Sequence, residues 1–217
     1  MRTIRIVLGS YLLASIPVAY ITGRLLSGID LREHGSGNVG ASNIWQSSTK
    51  QAVVPVGLAE IGQGLLGPAV AIASGLGPGS QAAAGVVAVA GHNWSPLLGF
   101  AGGRGVAHAI GVMLAISRQA LAVFIVISLI GVRVKAIPQF VALGILSAPV
   151  VARLTRQPVE IVSGLSAIAA LIFAKRLMAN EPPSPDADRR RVLINRLLYD
   201  RDTSERYAWV ARDAAQH

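Results

Sequence analysis

Seven apolar runs alternate with short polar connections along the chain: 4–26, 52–74, 80–98, 105–117, 119–132, 137–152 and 158–174. Crossing a hydrocarbon layer about 30 Å thick takes about 20 helical residues, and only the first three runs approach that length. Short apolar helices fit a broken or re-entrant arrangement that lines a wet cavity, because lipid-exposed backbone must be fully hydrogen-bonded. The pattern predicts an all-α integral membrane protein of about seven transmembrane helices, several of them short. Ser15-Ile16-Pro17 places a kink or break inside the first run. The stretch 27–50 reads as a polar loop, and Gly75–Gly79 as a short uncharged turn. Within the second run Glu60 and Gln63 lie three apart, hence on one helical face. An ionisable group at that depth marks a functional site, or else a structural ion pair.

Two glycine-rich stretches interrupt this pattern. Residues 34–43 read His-Gly-Ser-Gly-Asn-Val-Gly-Ala-Ser-Asn, and residues 99–108 read Gly-Phe-Ala-Gly-Gly-Arg-Gly-Val-Ala-His. Successive backbone N–H groups that lead into a helix favour an anion. Gly35, Gly37 and Gly40 let the first loop turn tightly, while Ser36, Asn38, Ser42 and Asn43 add side-chain donors. Gly102, Gly103 and Gly105 do the same in the second loop, where Arg104 supplies a cation. Two such loops point to a phosphate-bearing substrate; the plainer alternative is a pair of flexible connectors. His92 and Asn93 stand where the third run leaves the membrane. His92 is a candidate proton acceptor or simply a helix-end residue, and His34 is a weaker candidate. His108 reads as a hydrogen-bonding helix residue.

Composition supports the membrane reading, with 52% hydrophobic and only 14% charged residues, against about 25% charged in soluble domains. Residues 1–180 hold 13 Lys/Arg and 4 Asp/Glu, whereas 181–217 hold 7 of each. The basic part is therefore the membrane part, which suits anionic headgroups or substrates; no aromatic-basic pattern argues for nucleic acid. With seven crossings, 8 Lys/Arg fall on the side of both glycine loops and 5 on the other. That bias makes the glycine loops and tail cytoplasmic and the N-terminus external. The chain divides into a membrane domain, 1–178, and a mixed-charge tail, 179–217, whose alternating signs from 186 predict a solvated surface helix. There is no cysteine, which removes disulfides, thiol nucleophiles and thiolate metal sites. Four histidines without paired spacing predict no metal.

A membrane enzyme that joined an activated acyl group to an alcohol would have to hold anionic headgroups and neutralise a developing oxyanion. Glycine loops and hydroxyls suit that work. No His-x4-Asp pair is present, which argues against acyltransferases that use such a dyad. Ser15-Ile-Pro17, Asp30-Leu-Arg32 and Gly35-Ser-Gly-Asn-Val-Gly-Ala-Ser-Asn43 resemble the first signature of the bacterial acyl-phosphate:glycerol-3-phosphate acyltransferases. Glu60 with Gly64 resembles the second. Gly91-His-Asn-Trp-Ser-Pro96 through Phe100-Ala-Gly-Gly-Arg-Gly-Val-Ala107 resembles the third.

The resemblance implies transfer of an acyl group from acyl phosphate to the 1-hydroxyl of glycerol 3-phosphate. The products are lysophosphatidic acid and phosphate, with no cofactor, at a bacterial cytoplasmic membrane. It also implies roles. Gly35–Gly40 with Ser36 and Asn38 hold one phosphate, and Gly102–Gly105 with Arg104 hold the other. Asn43 orients the first loop, His92 and Ser36 serve catalysis, and Glu60 and Asn93 support. Ser42, Gln46, Glu60, Gln63 and Arg104 stand where the family usually has Thr, Arg, Asp, Lys and Lys. The family's late Arg-His-Arg-Glu-Asn-Ile motif is matched only loosely at Arg189–Leu198. Two further readings stay open: a non-catalytic paralogue that binds phosphate-bearing lipid, and a transporter, although no inverted repeat of the loops is visible.

Overall fold

The computed structural model describes residues 1–204. Its helices are α1 (Arg2–Ala14), α2 (Val18–Ser27), α3 (Ala41–Ser47), α4 (Val53–Ala73), α5 (Pro78–Asn93), α6 (Val106–Ile116), α7 (Arg118–Arg133), α8 (Ile137–Leu154), α9 (Val159–Met178) and α10 (Arg189–Tyr199). No strand occurs among the described residues. Runs Arg2–Ser27, Lys50–Ala73, Ile137–Leu154 and Val159–Met178 are long and apolar enough to cross a membrane. Helices α5 and α7 have 16 residues each and α6 has 11, so α6 reaches only about 17 Å at 1.5 Å per residue.

Several boundaries differ from the apolar pattern, each for a local reason. The first run breaks between α1 and α2, because Pro17 has no N–H to continue the helix. At that break the carbonyls of Leu13 and Ile16 each keep a single short-range backbone bond, from Ile16 N and Val18 N. Gln63, projecting from α4, donates its Nε2 to both, at 2.8 and 3.1 Å. The expected loop 27–50 contains α3, whose Ile44 is fully buried beneath the first glycine loop. The third run stops being α-helical at Asn93, five residues early; Pro96 instead opens a 3-10 turn, Pro96–Leu98. Helix α9 runs on to Met178, so Lys175 and Arg176 lie inside its last turn.

Apolar side chains point outward in rows, as on α1 with Ile4, Leu8 and Leu12 at 58–63% exposure or on α7 with Val126, Leu129 and Ile130. Inside, Val89, Val112, Met113, Phe124, Leu165 and Ile168 join α5 through α9 in one core. Small residues let helices approach closely without a hydrophobic drive between them. At Gly111 of α6, a Cβ would run into the backbone of Ile61 and Leu65 on α4.

Direction alternates from helix to helix, which gathers the connections at two ends. At one end Thr3 bonds Ser80, and Gln157 bonds Ser117 at 2.9 Å. At the other lie both glycine loops, the α7–α8 turn and the end of α9, tied by the bond from Arg176 Nη2 to Pro138 O. The fold thus places both glycine loops at one end.

Candidate active site

The first glycine loop is fixed before it reaches any ligand. Asp30, 2% exposed, accepts from Arg32 Nη2 at 2.7 Å and from Arg24 Nη2 at 3.0 Å. It also accepts from the backbone N and Nε of Arg32. Hydrogen bonds from Arg32 hold its carboxyl well below the usual carboxylate range, at about 2. Asn43 then pins the loop from α3. Its Nδ2 donates to Leu31 O and His34 O at 3.0 and 2.9 Å, and its Oδ1 accepts from Ser36 N and Ser47 Oγ. One amide so makes four bonds, which is its full capacity.

The backbone N–H groups expected to face a phosphate are largely turned inward. Gly37 N donates to His34 O, Asn38 N to Ser36 Oγ, Val39 N to Gly102 O and Gly40 N to Asn38 O. Gly102 N donates to Asn180 Oδ1, and Gly103 N to His92 O. The glycines serve close approach: a Cβ on Gly103 would collide with His92 Nε2 and Val39 O. The two loops therefore touch each other directly.

A third segment, after α9, completes the cluster. Asn180 Nδ2 donates to Gly37 O at 2.7 Å and to Gly102 O at 2.8 Å, one bond to each glycine loop. Arg104, buried, bonds Asp200 Oδ1 through Nε at 2.7 Å and Lys175 O through Nη1 at 3.2 Å. Arg196 of α10 pairs with Asp202 at 2.6 Å and donates to the carbonyls of Leu177, Met178 and Glu181. Ser36, Gly37, Arg104, Asn180, Arg196 and Asp202 line one small polar cavity. Four cations, Arg104, Lys175, Arg176 and Arg196, are buried within this end of the molecule. Such a density of buried positive charge calls for an anionic partner.

The glycerol-3-phosphate acyltransferase family model matches residues 4–180. Glycerol-3-phosphate acyltransferase 4 of Dehalococcoides mccartyi strain CBDB1 is 31% identical over 95% of this chain and 92% of its own length. A glycerol-3-phosphate acyltransferase of Synechococcus sp. strain JA-2-3B'a(2-13) is 36% identical over 82% of the chain and 92% of its own. The chain belongs to the glycerol-3-phosphate acyltransferase family. Solved structures of PlsY, an integral membrane glycerol 3-phosphate acyltransferase, agree. The glycerol 3-phosphate form superposes with a TM-score of 0.79 at 28% identity, covering 98% of this chain and all of that one. The lysophosphatidic acid form gives 0.76 at 26% identity, covering 97% of this chain and 98% of that one. This acyltransferase is accordingly a multi-pass membrane protein.

Within the acyltransferase, the residues singled out from sequence take different stations. Ser36, Gly37 and Arg104 line the cavity. Gly35, Asn38, Gly40 and Asn43 build the loop behind it, and Asn38 Oδ1 is buried without a hydrogen bond. Ser42 lies on the exposed face of α3. Gly105 abuts Asn93, whose buried Oδ1 also has no hydrogen bond. His92 sits behind Gly103 rather than in the cavity wall, packed against His108 with ring centroids 4.1 Å apart and planes tilted by 32°. His108 was expected to hydrogen-bond along its helix, yet neither of its ring nitrogens has a partner. Glu60 meets the Ala41 backbone N–H at the start of α3, while its Oε1 carries no hydrogen bond. Gln63 lies at the α1 break, bonded to backbone carbonyls.

Four contributors were not singled out as site residues: Lys175, Arg176, Asn180 and Arg196. The paired Lys175-Arg176 ends an apolar run, where two adjacent cations read as ordinary flanking charge. Arg196 stood in the loosely matched tail motif. Asn180 offered no signal, since a single amide after a helix resembles any cap.

Proposed function

We propose that the chain transfers an acyl group from acyl phosphate to the 1-hydroxyl of glycerol 3-phosphate, yielding lysophosphatidic acid and phosphate for phospholipid biosynthesis. The observation that carries this reading is the convergence of Ser36, Arg104 and Arg196 on one polar cavity amid buried cations. The reaction runs at the cytoplasmic face of a bacterial inner membrane. Residues 1–178 lie in the bilayer with the N-terminus outside, and the 179–217 tail is cytoplasmic. The greater share of Lys/Arg on the glycine-loop side supports that orientation.

An acyl phosphate is an activated mixed anhydride, so the protein's part is positioning and charge stabilisation. The alcohol oxygen attacks the acyl carbon, an ester C–O bond forms, and the C–O bond to phosphate breaks. The hydroxyl proton passes to the departing phosphate. Arg104, with the first-turn N–H groups of α6 behind it, holds a phosphate; Ser36 and Arg196 hold its other oxygens. Asn43 and Asn180 keep the two loops in register. His92 lies one layer back and braces the Gly102–Gly103 turn, its carbonyl accepting from Gly103 N. Glu60 holds the start of α3.

The test is phosphate release from palmitoyl phosphate by detergent-purified protein. Release that requires glycerol 3-phosphate, with lysophosphatidic acid formed in equal amount, is expected. No release from folded protein would sink the enzyme reading in favour of a binding-only paralogue.

A further inference from the structure

The cavity walled by Ser36, Arg104 and Arg196 has a volume of about 10 Å³, room for about one water and far too little for a phosphate. What closes it is the chain after α10. Asp200 caps that helix at φ 57°, in the left-handed region that non-glycine residues rarely adopt. From that cap its carboxylate lies 2.7 Å from Arg104 Nε and 3.9 Å from Arg176 Nε. Arg176 Nε has no hydrogen-bond partner of its own. Two residues on, Asp202 lines the cavity together with Asn180 and Glu181 and pairs with Arg196. Among the described residues the Lys175 Nζ lies 5.6 Å from the Trp94 ring and forms no ion pair with a carboxylate. Among the described residues, three of the four buried cations are therefore paired with just these two aspartates, and Lys175 with none.

We propose that the Asp200 carboxylate is an internal stand-in for substrate phosphate, and that a phosphate oxygen displaces it from Arg104 on binding. This rests on the reading of Arg104 as a phosphate ligand. A carboxylate and a phosphate oxygen make the same charge-assisted bond to a guanidinium. The exchange leaves Arg104 paired in both states, so a buried charge is never stripped bare. It also couples entry to opening: as Asp200 leaves, the segment that carries Asp202, which lines the cavity, withdraws and the cavity widens. Asp200 then sets how tightly phosphate-bearing substrate and the phosphate product are held, because each competes with it.

Two variants of the full chain in detergent test this. Asp200→Asn keeps the shape and removes the charge. Asp200→Gly suits the left-handed turn and so guards against a folding failure. Both should lower the KM for glycerol 3-phosphate and the inhibition constant of inorganic phosphate by about tenfold. Saturating inorganic phosphate should also raise amide hydrogen exchange over 197–204 in the unaltered protein. If both variants bind inorganic phosphate no more tightly, or more weakly, Asp200 is only a brace for α10 and the proposal falls. Unchanged exchange over 197–204 would overturn it as well. Failure of the acyltransferase reading would look different: no turnover by the unaltered protein, whatever the phosphate affinities of the variants.

Discussion

Arg104 is bonded to a carboxylate and a carbonyl inside a region of little solvent, and a hydrogen bond to a charged group is there worth about 1.5–3 kcal/mol. Arg104→Ala should raise the KM for glycerol 3-phosphate by about 10–100-fold, at 1.4 kcal/mol per tenfold. An unchanged KM in steady-state kinetics would remove the residue from the phosphate site. Asp30 works by another route. Its carboxyl is held at about 2, below the 3.8 of an unconstrained Asp, by the hydrogen bonds from Arg32. The stability this gives is present above pH 4 and is lost as pH falls from about 4 toward 2. Asp30→Asn should therefore flatten the acid limb of a thermal-stability profile and cost about 2 kcal/mol near neutrality.

At the scale of elements, the break between α1 and α2 joins sequence to packing most plainly. Pro17 announces the break, but nothing in the spacing says that an amide from α4 closes it. Gln63→Leu keeps a similar shape and removes the bonds that the Leu13 and Ile16 carbonyls accept from α4, leaving each with its one backbone bond. It should destabilise the protein by about 1–3 kcal/mol, read as a lower melting temperature in detergent. The apolar runs were legible because membrane helices need continuous hydrophobicity, and Pro17 and the glycine loops fixed most interruptions. Helix α3 was not legible: seven residues with one fully buried apolar anchor, Ile44, give no period to read. Nor was the inward turn of the loop N–H groups, since glycine permits many backbone directions and only tertiary contacts choose among them. The charged tail looked like a solvated helix, yet Arg196 and Asn195 are buried because their partners, Met178, Glu181 and Asp202, come from segments that fold onto it.

For the whole molecule, sidedness is open to a direct test, because the natural chain contains no cysteine. Gln46→Cys on the glycine-loop end and Thr155→Cys at the opposite end each introduce one thiol. An impermeant maleimide added to intact cells should label position 155 and spare position 46 until the membrane is opened; the reverse pattern would invert the orientation. One further consequence follows from where Asn180 sits. It comes two residues after α9, past Ala179 at φ 51°, and its one side chain touches both glycine loops. Helix α9 is a full span of 20 residues. A span adapts to a thinner or thicker bilayer by tilting, and tilt would move its end along the membrane normal. The loops would then be drawn together or eased apart by the thickness of the lipid around them. Turnover should accordingly pass through an optimum across bilayers of graded acyl length, and Asn180→Ala should lower that optimum and broaden it. An enzyme that makes membrane lipid would in this way carry a gauge of the membrane it supplies.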